Sequence, residues 1–175
     1  LETILSTHSD TKYKKLKETL LGLGWSGKKQ DDRYVIFAER IKTLEYLRDN
    51  LKNDFKITDE AIAYFHGGLS DSEQQNIVED FGKQDSTVKI LLCSDSGSQG
   101  VNLHYFCNRM FNYDIPWSLI TLEQRNGRID RYGQKKTPFI HYIIAESTIE
   151  GLKTDLHIVD RLTKKEEEVY KTLGD

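Results

Sequence analysis

Arg125, Arg128 and Arg131 stand three residues apart in Gln124-Arg125-Asn126-Gly127-Arg128-Ile129-Asp130-Arg131-Tyr132-Gly133-Gln134. Arginine suits the holding of an anion in a fixed geometry, because its guanidinium is always charged and its forked donors match phosphate oxygens. At about 100° per residue, a helix through this run would place Arg128 and Arg131 roughly 60° apart on one side. Leu122 and Ile129 would then share the opposite, core-facing side. A solvated basic face would explain a lone Arg-x-x-Arg, but a second segment asks for more. Cys93-Ser94-Asp95-Ser96-Gly97-Ser98-Gln99-Gly100-Val101-Asn102-Leu103 directly follows the apolar run Val88-Lys89-Ile90-Leu91-Leu92. Glycines let main-chain N–H groups approach a phosphate or sugar, and serine hydroxyls add short donors. A strand feeding such a turn, joined to the arginine run, points to phosphate chemistry at one shared site.

These two segments carry a resemblance. Ser94 to Leu103 resembles motif V of the superfamily-two helicases and translocases, and Gln124 to Gln134 is similar to their motif VI, Q-R-x-G-R-x-x-R-x-G-Q. Val35-Ile36-Phe37-Ala38-Glu39-Arg40 sits where motif IV falls, and His66-Gly67-Gly68-Leu69-Ser70 resembles the segment after their second strand. The likeness is greatest to the Swi/Snf-related group, which includes the bacterial RNA-polymerase-recycling ATPase. It implies the second, C-terminal RecA-like lobe of a two-lobed motor, with ATP in the cleft between lobes and nucleic acid running across both.

By motif position, the resemblance implies that Arg128 and Arg131 are arginine fingers reaching the γ-phosphate of ATP held by the first lobe. Gly100, Val101, Asn102, Gln124 and Arg125 fall where motifs V and VI approach the nucleotide. Ser94, Asp95 and Ser96 lie at the nucleic-acid end of motif V, with Gly67 and Gly68 as backbone contacts to phosphates. Two positions depart from the pattern. Asp95 stands where the chromatin-remodelling relatives often have arginine, and an acid facing a phosphate would repel it. Ala38-Glu39 replaces the common Ser-Gln, removing two phosphate donors. The expected track is double-stranded DNA. Alternatives are a lobe of an RNA or restriction-associated helicase, or a non-catalytic RecA-like module that binds a protein through motif VI.

Gly22-Leu23-Gly24-Trp25-Ser26-Gly27-Lys28-Lys29 has the spacing of a Walker A loop, but lysine stands at position 29 where Ser or Thr would hold magnesium. The flanks are also wrong, since this segment follows a helical pattern and precedes the polar Gln30-Asp31-Asp32, whereas a phosphate loop follows a strand and opens a helix. No D-E-x-H box follows a strand. In the family both elements belong to the first lobe, so the isolated chain is expected to be inactive, with ATP and Mg2+ held mainly by that lobe.

Alternating helix and strand periods must position these motifs. Asp10 to Leu21 reads as a capped amphipathic helix, Arg33 to Ala38 as a buried strand, and Ile41, Leu44, Leu47 and Leu51 repeat at helical spacing behind it. Ala61 to His66, Val88 to Cys93, Arg109 to Tyr113 and Phe139 to Ile144 supply further strands. Ser70-Asp71-Ser72-Glu73 is a capping box for a helix that turns Ile77, Val78 and Phe81 inward. Ser118 opens the helix expected to carry the arginines, and Ser147-Thr148-Ile149-Glu150 is a second capping box, starting a long helix toward Leu173. Trp117 and Tyr132 are expected to pack. His66 suits a tucked strand end and a functional role equally. The alternation predicts an α/β, three-layer RecA-like domain, with a central, mostly parallel sheet of about five to six strands and helices on both faces. Residues 1–175 form one domain on this reading, with 147–175 mainly a C-terminal helical extension.

Composition agrees. The 175 residues are 37% hydrophobic, enough for one core, and 30% charged with a net charge of only −3, so a nucleic-acid footprint must be a local patch. Cys93 and Cys107 lie in apolar runs without CxxC spacing or clustered histidines, so buried reduced thiols are expected rather than a disulfide or zinc site. No stretch approaches the ~20 apolar residues of a membrane span and Leu1 to Asp10 lacks a signal-peptide pattern. The expected compartment is the cytoplasm, with nucleoid association in a bacterium.

Overall fold

Short segments of four residues, wholly apolar in the centre of the sheet, supply the strands of the computed structural model, which describes residues 10–27, 33–96, 102–145 and 155–173. Five strands occur among them: β1 (Tyr34–Phe37), β2 (Ile62–Phe65), β3 (Ile90–Cys93), β4 (Arg109–Asn112) and β5 (Phe139–Tyr142). They form one parallel sheet in the order β2-β3-β1-β4-β5. Central β1 and β3 are buried at every position, as expected for parallel strands covered on both faces. Edge strand β5 is only partly covered.

Alternation along β1 divides the core in two. Tyr34 and Ile36 face a layer built by α1 (Thr11–Gly22) and α2 (Ile41–Phe55), through Leu16, Leu20, Leu44, Leu47 and Leu51. Val35 and Phe37 face α3 (Asp71–Gly82), whose Phe81 is wholly buried, together with Leu103, Met110 and Ile129. A third cluster joins Ile115, beside α4 (Leu119–Asn126), to Ile158 and Leu162 of α5 (Asp155–Leu173). Fully burying side chains of this size stabilises by about 1.5–3 kcal/mol each.

Local signals set the helix ends. Asp10 accepts from the Lys12 and Tyr13 amides, Ser118 caps α4, and the Ser70–Glu73 capping box is formed in both directions. Trp25, at the centre of the Walker-like spacing, is buried against Tyr34 and Phe55, which makes that segment a core plug. Ser147–Glu150, Lys28, Lys29 and the side chains of Lys165–Glu168 lie outside the described residues. No helix among the described residues is long and apolar enough to cross a membrane.

Two expectations are corrected. The arginine run does not continue as helix: α4 ends at Asn126, and Arg128 and Arg131 occupy the turns that follow. Leu122 and Ile129 therefore do not share a face. Leu122 packs on the α5 cluster, whereas Ile129 enters the core beside Phe81. Nor do Trp117 and Tyr132 pack, being 58% and 100% exposed.

Candidate nucleotide and nucleic-acid site

The loops after β1, β3 and β4 meet where the strand order reverses about β1, the place where open parallel sheets bind ligands. Arg125, from the last turn of α4, fills this crevice and is 1% exposed. Its Nε and Nη2 donate to the two Asp95 carboxylate oxygens at 2.5 and 2.8 Å, Nη2 also reaches Asp114 Oδ1 at 3.1 Å, and Nη1 donates to the Asp114 carbonyl at 2.9 Å and Asn112 Oδ1 at 3.3 Å. All five N–H groups thus meet acceptors of this chain. Burial opposes the charge, but the bonds to Asp95 and Asp114 outweigh it and push the guanidinium pKa up. Asp114 Oδ2 in turn accepts from the Glu39 amide at 2.7 Å, tying the motif IV segment to the same knot.

Asp95 is thus turned onto Arg125, and the repulsion anticipated from an acid facing phosphate does not arise in this arrangement. Neither Asp114 nor Asn112 was singled out from the sequence. Their signal was a polar Asn-Tyr-Asp following the apolar part of β4.

Below this knot, motifs V and VI are stitched together. The Leu103 amide donates to the Arg128 carbonyl at 3.1 Å, and Arg131 Nη1 donates to Asn102 Oδ1. Arg131 and Asn102 are exposed, and Arg128 is partly buried. Burial and the nearby Arg131 charge both push the Arg128 pKa down. Two guanidinium groups close enough to repel one another make a place where an anion is favoured. Gln124 is exposed on α4, one residue before Arg125. Gly100 and Val101 lie outside the described residues.

At the C-terminal ends of β2 and β3, Gly67 and Gly68 are exposed and Gly67 lies against Ser96, since a Cβ on Gly67 would stand 2.9 Å from Ser96 Oγ. Ser94 is buried, its amide bonded to the Phe65 carbonyl at 2.9 Å and its hydroxyl 3.2 Å from that of Ser96. The structure therefore brings Gly67, Gly68 and Ser96 to one exposed rim and places Ser94 beneath it. His66 Nδ1 accepts from the Gly68 amide at 3.1 Å, which orders the turn.

A parallel sheet of this order, with two arginines and an asparagine converging from separate loops, defines a RecA-like helicase domain. The chain belongs to the family described as helicase conserved C-terminal domain, whose model matches residues 11–133. It is similar to an uncharacterized ATP-dependent helicase, YqhH, of Bacillus subtilis, at 34% identity over 149 residues, 85% of this chain and 24% of that protein. It is also similar to the RNA polymerase-associated protein RapA of Vibrio campbellii, at 32% identity over 71% of this chain and 12% of that protein. The chain thus spans a quarter or less of these relatives. Among solved structures, the C-terminal part of the Fun30 ATPase domain superposes with a TM-score of 0.62 at 18% identity, covering 88% of this chain and 54% of that one. Domain 2 of the DEAD-box helicase Mss116p, bound to an RNA duplex, superposes at 0.56 with 25% identity, covering 81% and 50%.

Proposed function

We propose that this chain is the second motor lobe of an ATP-driven translocase on double-stranded DNA, completing an ATP site whose base, sugar and Mg2+ contacts belong mainly to a first lobe. Arg128 and Arg131 act as arginine fingers, and Gly100, Val101, Asn102 and Gln124 line the nucleotide side. Gly67, Gly68 and Ser96 meet the nucleic-acid backbone, while Ser94, Asp95 and Arg125 hold that rim and the arginine turn in register. The observation that carries this reading is the Arg131–Asn102 hydrogen bond beside the Leu103–Arg128 bond, which joins the Gly/Ser turn to the arginine run. The residues present fit a phosphate: two mutually repelling guanidinium groups are relieved by negative charge, most of all by the charge that builds up in phosphoryl transfer.

The helix Asp155–Leu173 is an extension of this single lobe, and the compartment is that of the nucleic acid, the cytoplasm or bacterial nucleoid. Likeness to an RNA-bound domain makes RNA the second track to test. The experiment is phosphate release by the two-lobed protein with duplex DNA, single-stranded DNA or RNA. Duplex DNA is expected to stimulate most. Equal turnover with and without any nucleic acid would remove the motor reading in favour of a protein-binding module.

A further inference from the structure

A cleft of about 340 Å³ opens between the turn after Leu103 and the turn after Tyr132, lined by His104, Tyr105, Phe106, Gly133, Lys135 and Lys136 among others. It lies at the N-terminal ends of β4 and β5: Asn108, which also lines it, immediately precedes β4 and donates to the Thr137 carbonyl at 2.9 Å. The Asp95–Arg125–Asp114 knot sits at the opposite ends of the strands, about 13 Å away at the usual strand rise.

Three observations give the cleft a chemistry. His104 is only 4% exposed, yet among the described residues neither of its ring nitrogens has a hydrogen-bond partner. A buried imidazole offers one donor and one acceptor, and leaving both unmet is costly enough to call for an explanation. Second, Gly133 holds φ +96°, and a Cβ there would stand 3.5 Å from His104 Nε2, so the glycine leaves open the space in front of that nitrogen. Third, among the described residues the lining includes Lys135 and Lys136 and no acid, beside Tyr105 and Phe106, which are 66% and 37% exposed.

We infer that this cleft binds a nucleoside phosphate, its base on the exposed Tyr105 ring, its phosphate on Lys135 and Lys136, and a polar group of the ligand on His104. Cations without a countering carboxylate select an anion, and Tyr105, with one side of its ring against His104 at 3.8 Å between centroids and 66% of the residue exposed, can take a planar group on its open side. A free nucleotide and the phosphorylated end of a nucleic-acid strand share this chemistry. The cleft is built on the same two turns as the Arg131–Asn102 pair, and the inference assigns its ligand to Lys135, Lys136 and His104 rather than to the arginines.

The test is titration of this chain with ADP, adenosine, inorganic phosphate, and a trinucleotide with or without a 5′-phosphate, following the His104 ring by NMR. ADP or the phosphorylated trinucleotide should shift that ring, and the tighter of the two names the source. Adenosine and phosphate should bind more weakly. Lys135→Ala with Lys136→Ala, both exposed, should weaken binding about tenfold, the scale of one charge-assisted hydrogen bond. Tyr105→Ala should weaken ADP and leave inorganic phosphate unchanged. Arg131→Ala should leave the titration as it was, whatever it does to turnover in the two-lobed protein. Undiminished ADP binding by the lysine variant, loss of binding only in Arg131→Ala, or no shift of the His104 ring by any phosphate ligand would overturn the inference.

Discussion

Arg125 gives all five of its N–H groups to acceptors within the chain, whereas Arg131, six residues on, stands exposed with a donor on Asn102. The same side chain is a clamp in one place and a surface cation in the other, and burial makes the difference. Arg125→Met should destabilise the domain by about 3 kcal/mol, the lower end for breaking a buried pair, because Asp95 and Asp114 keep some contact with water. Lysine should rescue poorly, having no fork to span two carboxylates. Urea denaturation monitored by circular dichroism checks both, and an unchanged midpoint in Arg125→Met would remove the clamp. The sequence made the arginines legible as a group but not their division of labour. Asp95 and Arg125 lie thirty residues apart, and only the folding of the β3 and α4 loops onto one crevice reveals that they pair.

The elements were more legible than the contacts between them. The short apolar runs at Tyr34–Phe37 and Ile90–Cys93, too brief for helices, read as strands buried on both faces, and Asp10, Ser70 and Ser118 declare helix starts by their side-chain chemistry. The end of α4 was hidden because Arg-x-x-Arg continues helical spacing, and Gly127 retains helical dihedrals as the C-cap. Ile129, just beyond, is wholly buried, so Ile129→Ala should cost about 2–5 kcal/mol by the same denaturation assay. On β5, His141 stacks against Phe111, and burial together with the Arg109 charge pushes its pKa below the ordinary histidine value. The unfolded chain therefore takes up the proton first. This histidine costs nothing above the unfolded pKa of about 6.5, and stability declines as pH falls through it. His141→Phe should flatten the decline in stability as pH falls below about 6.5, and an equally steep decline in the variant would assign the pH dependence elsewhere.

At the scale of the whole molecule, the proposed nucleotide and nucleic-acid contacts gather at the C-terminal ends of the strands, and the sequence has no complete Walker A loop or D-E-x-H box. The chain alone should release no phosphate from ATP. With a net charge of −3 it should bind DNA weakly, with affinity falling steeply from low to physiological salt. Turnover that survives removal of contaminating ATPases would contradict the half-site architecture.

The central claim is that Arg128 and Arg131 act on the transition state of ATP hydrolysis in a site shared with another lobe. Its most direct test measures nucleotide affinity and DNA-stimulated turnover in the same folded preparations of the two-lobed protein, comparing the parent with Arg131→Ala and Arg128→Ala. Arginine fingers contribute roughly 10³ to 10⁵ in rate, so turnover should collapse on that scale while ATP affinity stays close to that of the parent. Well-folded alanine variants at both positions that hydrolyse ATP at the parental rate would contradict the account.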